Sequence, residues 1–230
     1  MNDRRAPRER EPARNAEMTA APSVPGRIAA LDTETRALVR LAAAIVASDE
    51  PGLRSIMSEA AALVPRVWVE ELVLQSYLFA GFPRALNAAR EWRRIAGPAE
   101  PDDAEPSWRD GGELTRRGEE TCRAVYGAAY ERLRRNIRAL HPALDEWMIT
   151  EGYGKVLSRP GLDLLRRELC VIAACAAGGH ERQLHAHLHG ALNVGARPEW
   201  VTDTLDALTG VAPPSVLRAA RMLWARVRGK

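Results

Sequence analysis

The sequence has few cysteines, few aromatic residues and almost no net charge for its length. Its 230 residues include three cysteines, 5% aromatic residues, and 33 basic against 30 acidic residues, for a formal net charge of +3. Three cysteines exclude a disulfide framework and are typical of a reducing compartment, so we expect a cytoplasmic protein. The small net charge and the scarcity of aromatic residues argue against a nucleic-acid partner.

Long hydrophobic runs are also lacking. Apolar runs such as Leu41–Ala47 fall well short of the roughly 20 residues that a membrane helix needs. No apolar signal-peptide core follows Met1, so we expect no membrane partner. What the chain does have is 46% hydrophobic residues, enough to build one large domain or two small ones.

The apolar residues recur at helical spacing almost throughout from residue 31 onward, and no segment alternates as a strand does. The sequence therefore predicts an all-α fold. Residues 1–28 mix Arg, Glu and Pro, which indicates a disordered tail. Residues 97–112 are rich in Pro, Gly and acidic residues, and we interpret them as a linker. We also expect one long helix over about 115–140 and a loop over Gly152–Gly161.

An internal repeat is the strongest long-range pattern. A shift of 131 residues aligns residues 36–93 with the second half without a gap, and fourteen aligned pairs are identical. Helix-breaking positions coincide too, since Pro83 aligns with Pro214. We predict a degenerate repeat at 29–96 and a second repeat within 113–230, packed together as a pseudo-dimer. Shared composition of Ala- and Arg-rich helices is the alternative explanation.

The two halves differ where polar chemistry could lie. The second half carries Glu168, His180, Gln183 and His187, and the first half has Ala37, Asp49, Gly52 and Ile56 at the aligned positions. His180, Gln183 and His187 are spaced three and four apart, so on a helix they share a face, which should be buried. An antiparallel helix pair turning at Gly178-Gly179 would bring Glu168 beside His187.

A carboxylate beside an imidazole can perform general acid–base chemistry, with Gln183 as a hydrogen-bonding neighbour. The alternative is a structural Glu–His hydrogen bond that satisfies two core polar groups. Arg159, in the loop before the Glu168 helix, could bind a substrate carboxylate or could be an ordinary surface arginine. His185 and His189 have the spacing of helical zinc ligands, but no third ligand is evident, so we expect no metal.

Several segments carry a family resemblance. Tyr153-Gly-Lys-Val-Leu-Ser-Arg-Pro-Gly-Leu162, Arg167-Glu-Leu169 and the run from Gln183 to Gly195 resemble the carboxymuconolactone decarboxylase family, over about residues 115–230. Residues 69–87 are similar to the closing helices of the same domain, which supports the duplication. The resemblance implies the all-α alkylhydroperoxidase-D-like fold and a homo-oligomer, here a trimer or another assembly of pseudo-dimers.

The family contains two chemistries. One is a cofactor-free decarboxylation in the protocatechuate pathway, and the other is the alkylhydroperoxidase D reaction, whose signature is Glu, eleven residues, Cys-x-x-Cys, three residues, His. This chain has Glu168, His180, Gln183 and His187 at those positions, so both redox cysteines are replaced. The resemblance therefore favours a decarboxylase-like lyase of aromatic-compound catabolism, with a small carboxylated lactone or related acid as substrate and no cofactor.

In that reading Glu168, Gln183 and His187 are catalytic, and His180 and Arg159 bind substrate. The mechanism it implies is loss of CO2 from an unsaturated lactone acid, with protonation of the resulting dienolate on carbon. Two alternatives stay open: an alkylhydroperoxidase-type antioxidant protein, which the missing Cys-x-x-Cys disfavours, and a non-enzymatic binding or assembly protein.

Overall fold

A computed structural model describes residues 30–99 and 111–229. Within these ranges the chain is helical and contains no β-strand, which confirms the all-α prediction. The predicted tail at 1–28 and most of the predicted linker lie outside the described residues. The α-helices are α1 Thr33–Ala47, α2 Glu50–Leu63, α3 Arg66–Ala80, α4 Phe82–Ala96, α5 Gly111–Tyr126, α6 Tyr130–Leu140, α7 Pro142–Trp147, α8 Leu164–Gly178, α9 Glu181–Asn193, α10 Pro198–Ala207 and α11 Pro214–Arg228.

The helices of the two halves correspond at the predicted offset. Shifted by 131 residues, α1 coincides with α8, and the next three helices coincide with α9, α10 and α11 to within a few residues at their ends. The N-caps match as well: the Asp32 side chain accepts a hydrogen bond from the Thr35 amide, and Asp163 accepts one from the Arg166 amide. This agreement supports the duplication, and the domain boundaries stay a prediction.

The predicted long helix over 115–140 is wrong, because it is divided at Gly127. Gly127 has a φ of +51°, and a 3-10 turn over Gly127–Ala129 separates α5 from α6. The Asn193 side-chain amide donates to the Val125 carbonyl at 2.8 Å, which satisfies one backbone acceptor that the end of α5 leaves open.

The predicted loop over Gly152–Gly161 is also wrong in its first part. A π-helical segment, Met148–Leu157, continues directly from α7. A Cβ at Gly154 would collide with the Leu114 carbonyl of α5, and one at Gly118 would collide with the Ile149 carbonyl. Gly154 therefore serves a close approach of two helical backbones, whereas the sequence pattern suggests a turn.

Two hydrophobic clusters hold the fold together. The larger one joins both halves and includes Leu38 on α1 and Ile172 on α8, two helices that pack against each other. The smaller cluster lies between α5, α6 and the π-helical segment, with Cys122, Val125 and Tyr153 among its buried members. Because α5 also packs on α9, this second layer covers the part of α8 and α9 that carries the polar residues. No helix of the described ranges is long and apolar enough to cross a membrane.

Candidate active site

The helix pair α8–α9 positions the polar residues. Asp163 caps the start of α8, and Gly179 ends the helix in the left-handed conformation, with φ 69° and ψ 24°. The His180 amide then donates to the Cys175 carbonyl at 2.9 Å, so the chain reverses within two residues. As a result α9 returns along α8, and the two functional side chains face each other at similar heights.

Glu168 and His187 form a buried hydrogen-bonded pair. His187 Nδ1 lies 2.9 Å from Glu168 Oε2, which confirms the predicted contact. Glu168 is fully buried and His187 is 5% exposed. If Nδ1–H donates to the carboxylate, Nε2 of the neutral ring keeps its lone pair and can act as a base. Among the described residues, neither Nε2 of His187 nor Oε1 of Glu168 has a hydrogen-bond partner.

The pair is enclosed by side chains from both halves. The ring of Phe79, from the end of α3 in the first half, meets His187 edge-on with 5.7 Å between centroids. Tyr126, the last residue of α5, lies 6.2 Å from the same imidazole. Gly190 leaves room for the carboxylate, since a Cβ there would lie 2.6 Å from Glu168 Oε2.

Two tyrosine hydroxyls accompany the pair. Burial raises the pKa of Tyr126 to about 12, and the negative charge of Glu168 adds to that increase. Burial raises the pKa of Tyr153 well above its usual range, again with a contribution from Glu168. The two rings contact each other edge-on at 6.2 Å. Both hydroxyls therefore stay protonated at neutral pH and can act as hydrogen-bond donors.

His180 and Gln183 do not join this buried pair, which corrects the expectation of one shared buried face. Both are exposed. His180 is the N-cap residue, outside the helical turns, and its ring lies against Gly178. Gln183 lies in the first turn of α9, at the edge of the buried stripe that Leu184, His187, Leu188 and Ala191 form. Their roles in substrate binding and catalysis remain predictions.

Arg159 is nearly buried, and it is engaged elsewhere. Its Nε donates to both carboxylate oxygens of Glu71 at 3.1 Å, and its side chain is only 10% exposed. Arg167, which is fully buried, donates to Glu71 at 2.7 Å and to the Arg159 carbonyl at 3.1 Å. Arg159 therefore belongs to an ion cluster that joins α3 to the second half, so a role for it in substrate binding would require this cluster to open.

The cysteines show no sign of redox chemistry. Cys122, Cys170 and Cys175 are all buried, and all have free thiols. Burial raises the pKa of Cys122 and that of Cys175 to about 12, and it also raises the pKa of Cys170. A reactive cysteine needs a stabilised thiolate, and burial here favours the unreactive protonated form.

Sequence reasoning did not find Phe79, Tyr126, Tyr153 or Gly190. The tyrosines and Phe79 are far from Glu168 along the chain, and no spacing pattern connects them to it. Gly190 did give a signal, since an isolated glycine inside a helical pattern indicates a packing or functional reason.

The comparisons with known proteins agree with this arrangement. The family model described as carboxymuconolactone decarboxylase family matches residues 142–223, which include both Glu168 and His187. This part of the chain belongs to the carboxymuconolactone decarboxylase family. Peroxisomal protein 2 of Schizosaccharomyces pombe is 31% identical over 134 residues, which are 58% of this chain. The chain spans 63% of the length of that relative.

Proposed function

We propose that the chain is a cofactor-free, decarboxylase-like enzyme that acts on a small carboxylated lactone or a related acid. The observation that carries the proposal is the buried hydrogen bond between Glu168 and His187, with Nε2 of His187 and Oε1 of Glu168 left without partners among the described residues. A buried polar oxygen without a partner is costly, so a native protein keeps one for a reason. The family match over residues 142–223 supports the same reaction class.

The proposed reaction needs one proton from the protein. When the bond to the carboxylate group breaks, CO2 leaves and the bonding electrons move into the unsaturated lactone as a dienolate. His187 in its protonated form donates from Nε2 to carbon, and the neutral imidazole that results regains a proton from solvent. Glu168 acts by holding the ring through Nδ1 and by stabilising its positive charge, as a carboxylate does for a catalytic histidine.

A turnover assay tests this function directly. We expect purified full-length protein to consume carboxymuconolactone with release of CO2, and we expect His187→Ala to lower kcat roughly 100- to 10,000-fold. His141→Asn is the matched control: His141 is exposed and caps α7, and Asn is also a good cap. Equal turnover in wild type and His187→Ala would disprove the catalytic role of His187.

A non-enzymatic binding or assembly protein is the second candidate, because His187 is only 5% exposed and Glu168 is fully buried. In that case the pair is structural. His187→Ala would then lower the free energy of unfolding, and no variant would differ in turnover because wild type would have none.

Assembly and location are part of the proposal as well. We propose a homo-oligomer of pseudo-dimers, which sedimentation analysis of the purified chain would test. The relative's name assigns that protein to the peroxisome. For this chain we propose the cytoplasm, and recovery of the protein in an organelle fraction would contradict that.

A further inference from the structure

A second cavity lies on the other side of α9. Its volume is about 530 Å³, within the range of small-molecule sites. It forms where α5 ends and α6 diverges from α9 at the Gly127 bend. Apolar and aromatic groups form much of its wall, among them Val125, Tyr126, Leu133 and Ala186.

The polar part of the lining is basic. Arg132, His185 and His189 line the cavity together with Asn136 and Asn193, and no carboxylate is among the lining residues that the structure describes. The two histidine rings meet edge-on at 5.0 Å. Such a lining favours an anionic ligand group.

Arg132 is the charged group best placed to bind that anion. Most arginines nearby are paired: Arg134 and Arg138 both donate to Asp145, and Arg123 donates to Glu131. Arg132 has no ion pair or hydrogen bond among the described residues. A guanidinium with all its donors available matches a carboxylate in geometry and charge.

The cavity is adjacent to the Glu168–His187 pair through one side chain. Tyr126 lines the cavity and also lies 6.2 Å from the His187 ring. It is half-buried and stands at the end of α5, beside the Gly127 bend. A rotation of this side chain would connect the two spaces.

We propose that this cavity binds a small organic carboxylate, with Arg132 on the carboxylate group and the wall of Val125, Tyr126 and Leu133 against an apolar or unsaturated body. The inference extends the proposed function, because it identifies where an acid substrate is recognised before it reaches His187. The binding itself does not require turnover.

Calorimetric titration of the full chain with benzoate tests the site. We expect benzoate to bind, and Arg132→Gln to weaken its affinity about ten- to a hundred-fold, the usual effect of losing a charge-assisted hydrogen bond. Arg135→Gln is the matched control, since Arg135 is exposed on the same helix and does not line the cavity. It should bind as wild type does.

Two further measurements locate the ligand. Ala186→Leu places bulk in the cavity and should block benzoate, while Ala124→Leu, at an exposed position outside the lining, should not. Neutral benzamide should bind at least about tenfold more weakly than benzoate. Inorganic phosphate that binds as tightly as benzoate would overturn the assignment to an organic acid.

The outcomes separate this inference from the proposed function. Benzoate binding that depends on Arg132, in a protein without turnover, supports the site and contradicts the decarboxylase. Equal benzoate affinity in wild type and Arg132→Gln, or no binding at all, overturns the site whatever the turnover. His187→Ala should keep benzoate affinity within about twofold, because His187 does not line the cavity.

Discussion

At the scale of single residues, the site depends on the absence of a side chain as much as on the side chains present. Gly190 lies where α9 passes both Glu168 and α5. A Cβ at this position would lie 2.6 Å from Glu168 Oε2 and 2.7 Å from Val125 Cγ1. The aligned residue of the first half is Glu59, where the aligned partner of Glu168 is Ala37. The glycine thus belongs with the buried carboxylate.

We expect Gly190→Ala to lower the free energy of unfolding by roughly 1–3 kcal/mol through overpacking, although alanine is the better helix former. Urea denaturation of the full chain measures this change. Gly152→Ala is the control: its nearest neighbour would be the Trp147 carbonyl at 4.0 Å, so it should be neutral or slightly stabilising. A Gly190→Ala variant as stable as wild type, with unchanged turnover, would show that α9 shifts freely.

At the scale of elements, an ion cluster fixes α6 against α7. Asp145 is buried and accepts hydrogen bonds from Arg134 at 3.1 Å and from Arg138 at 2.6 Å. The hydrogen bond from Arg134, with a smaller contribution from Arg138, holds the pKa of Asp145 below its usual range. A carboxylate whose pKa is lowered in the folded state stabilises the fold above its unfolded pKa of about 4, and this stabilisation is lost as the pH falls through the folded pKa.

Asp145→Asn should therefore cost roughly 3 kcal/mol at pH 7, because it leaves two arginines without their shared anion. The difference from wild type should shrink between pH 4 and pH 2, where Asp145 itself becomes protonated. Urea denaturation at pH 7 and pH 3 measures both effects. Glu146→Gln, at the exposed neighbouring position, should change stability by less than about 0.5 kcal/mol. A difference that persists unchanged at low pH would contradict the electrostatic explanation.

The sequence pattern predicts most helix ends well, because their caps are local. Asp32, Asp49 and Asp163 each accept a hydrogen bond from an amide three residues later, as N-cap residues do. The pattern fails at Gly127 and Gly154, where a glycine can serve either a bend or a close approach of two backbones. Only the position of the neighbouring helix decides between these uses, and sequence periodicity does not contain that information.

At the scale of the whole molecule, the two halves are joined by a buried ion cluster in addition to the hydrophobic core. Glu71 of α3 receives hydrogen bonds from Arg159 and Arg167 of the second half, and Gln75 donates to the Arg167 carbonyl at 3.1 Å. Phe79, on the same helix, packs on His187. The first half therefore has no Glu–His pair of its own, yet it forms part of the wall around the pair in the second half.

Glu71→Gln should lower the free energy of unfolding by about 3–5 kcal/mol, since it leaves two nearly buried guanidinium groups without a counter-charge. Both halves should still unfold in a single transition, because they share one core. Glu113→Gln is the control, because it breaks an exposed pair with Arg116 and should change stability by less than about 1 kcal/mol. Calorimetry distinguishes these outcomes, and a separate transition for each half would contradict the shared core.

The sequence by itself determined the all-α class, the helix boundaries set by local caps, the correspondence at 131 residues and the Glu168–His187 contact. These features depend on hydrogen bonds and periodicities within about 20 residues, which a linear pattern records. Only the tertiary structure decided that Gln183 and His180 are exposed, that Arg159 binds Glu71, and that Phe79 and Tyr126 enclose the pair. Burial and partner choice there depend on which distant helices pack together, and that is a property of the whole core.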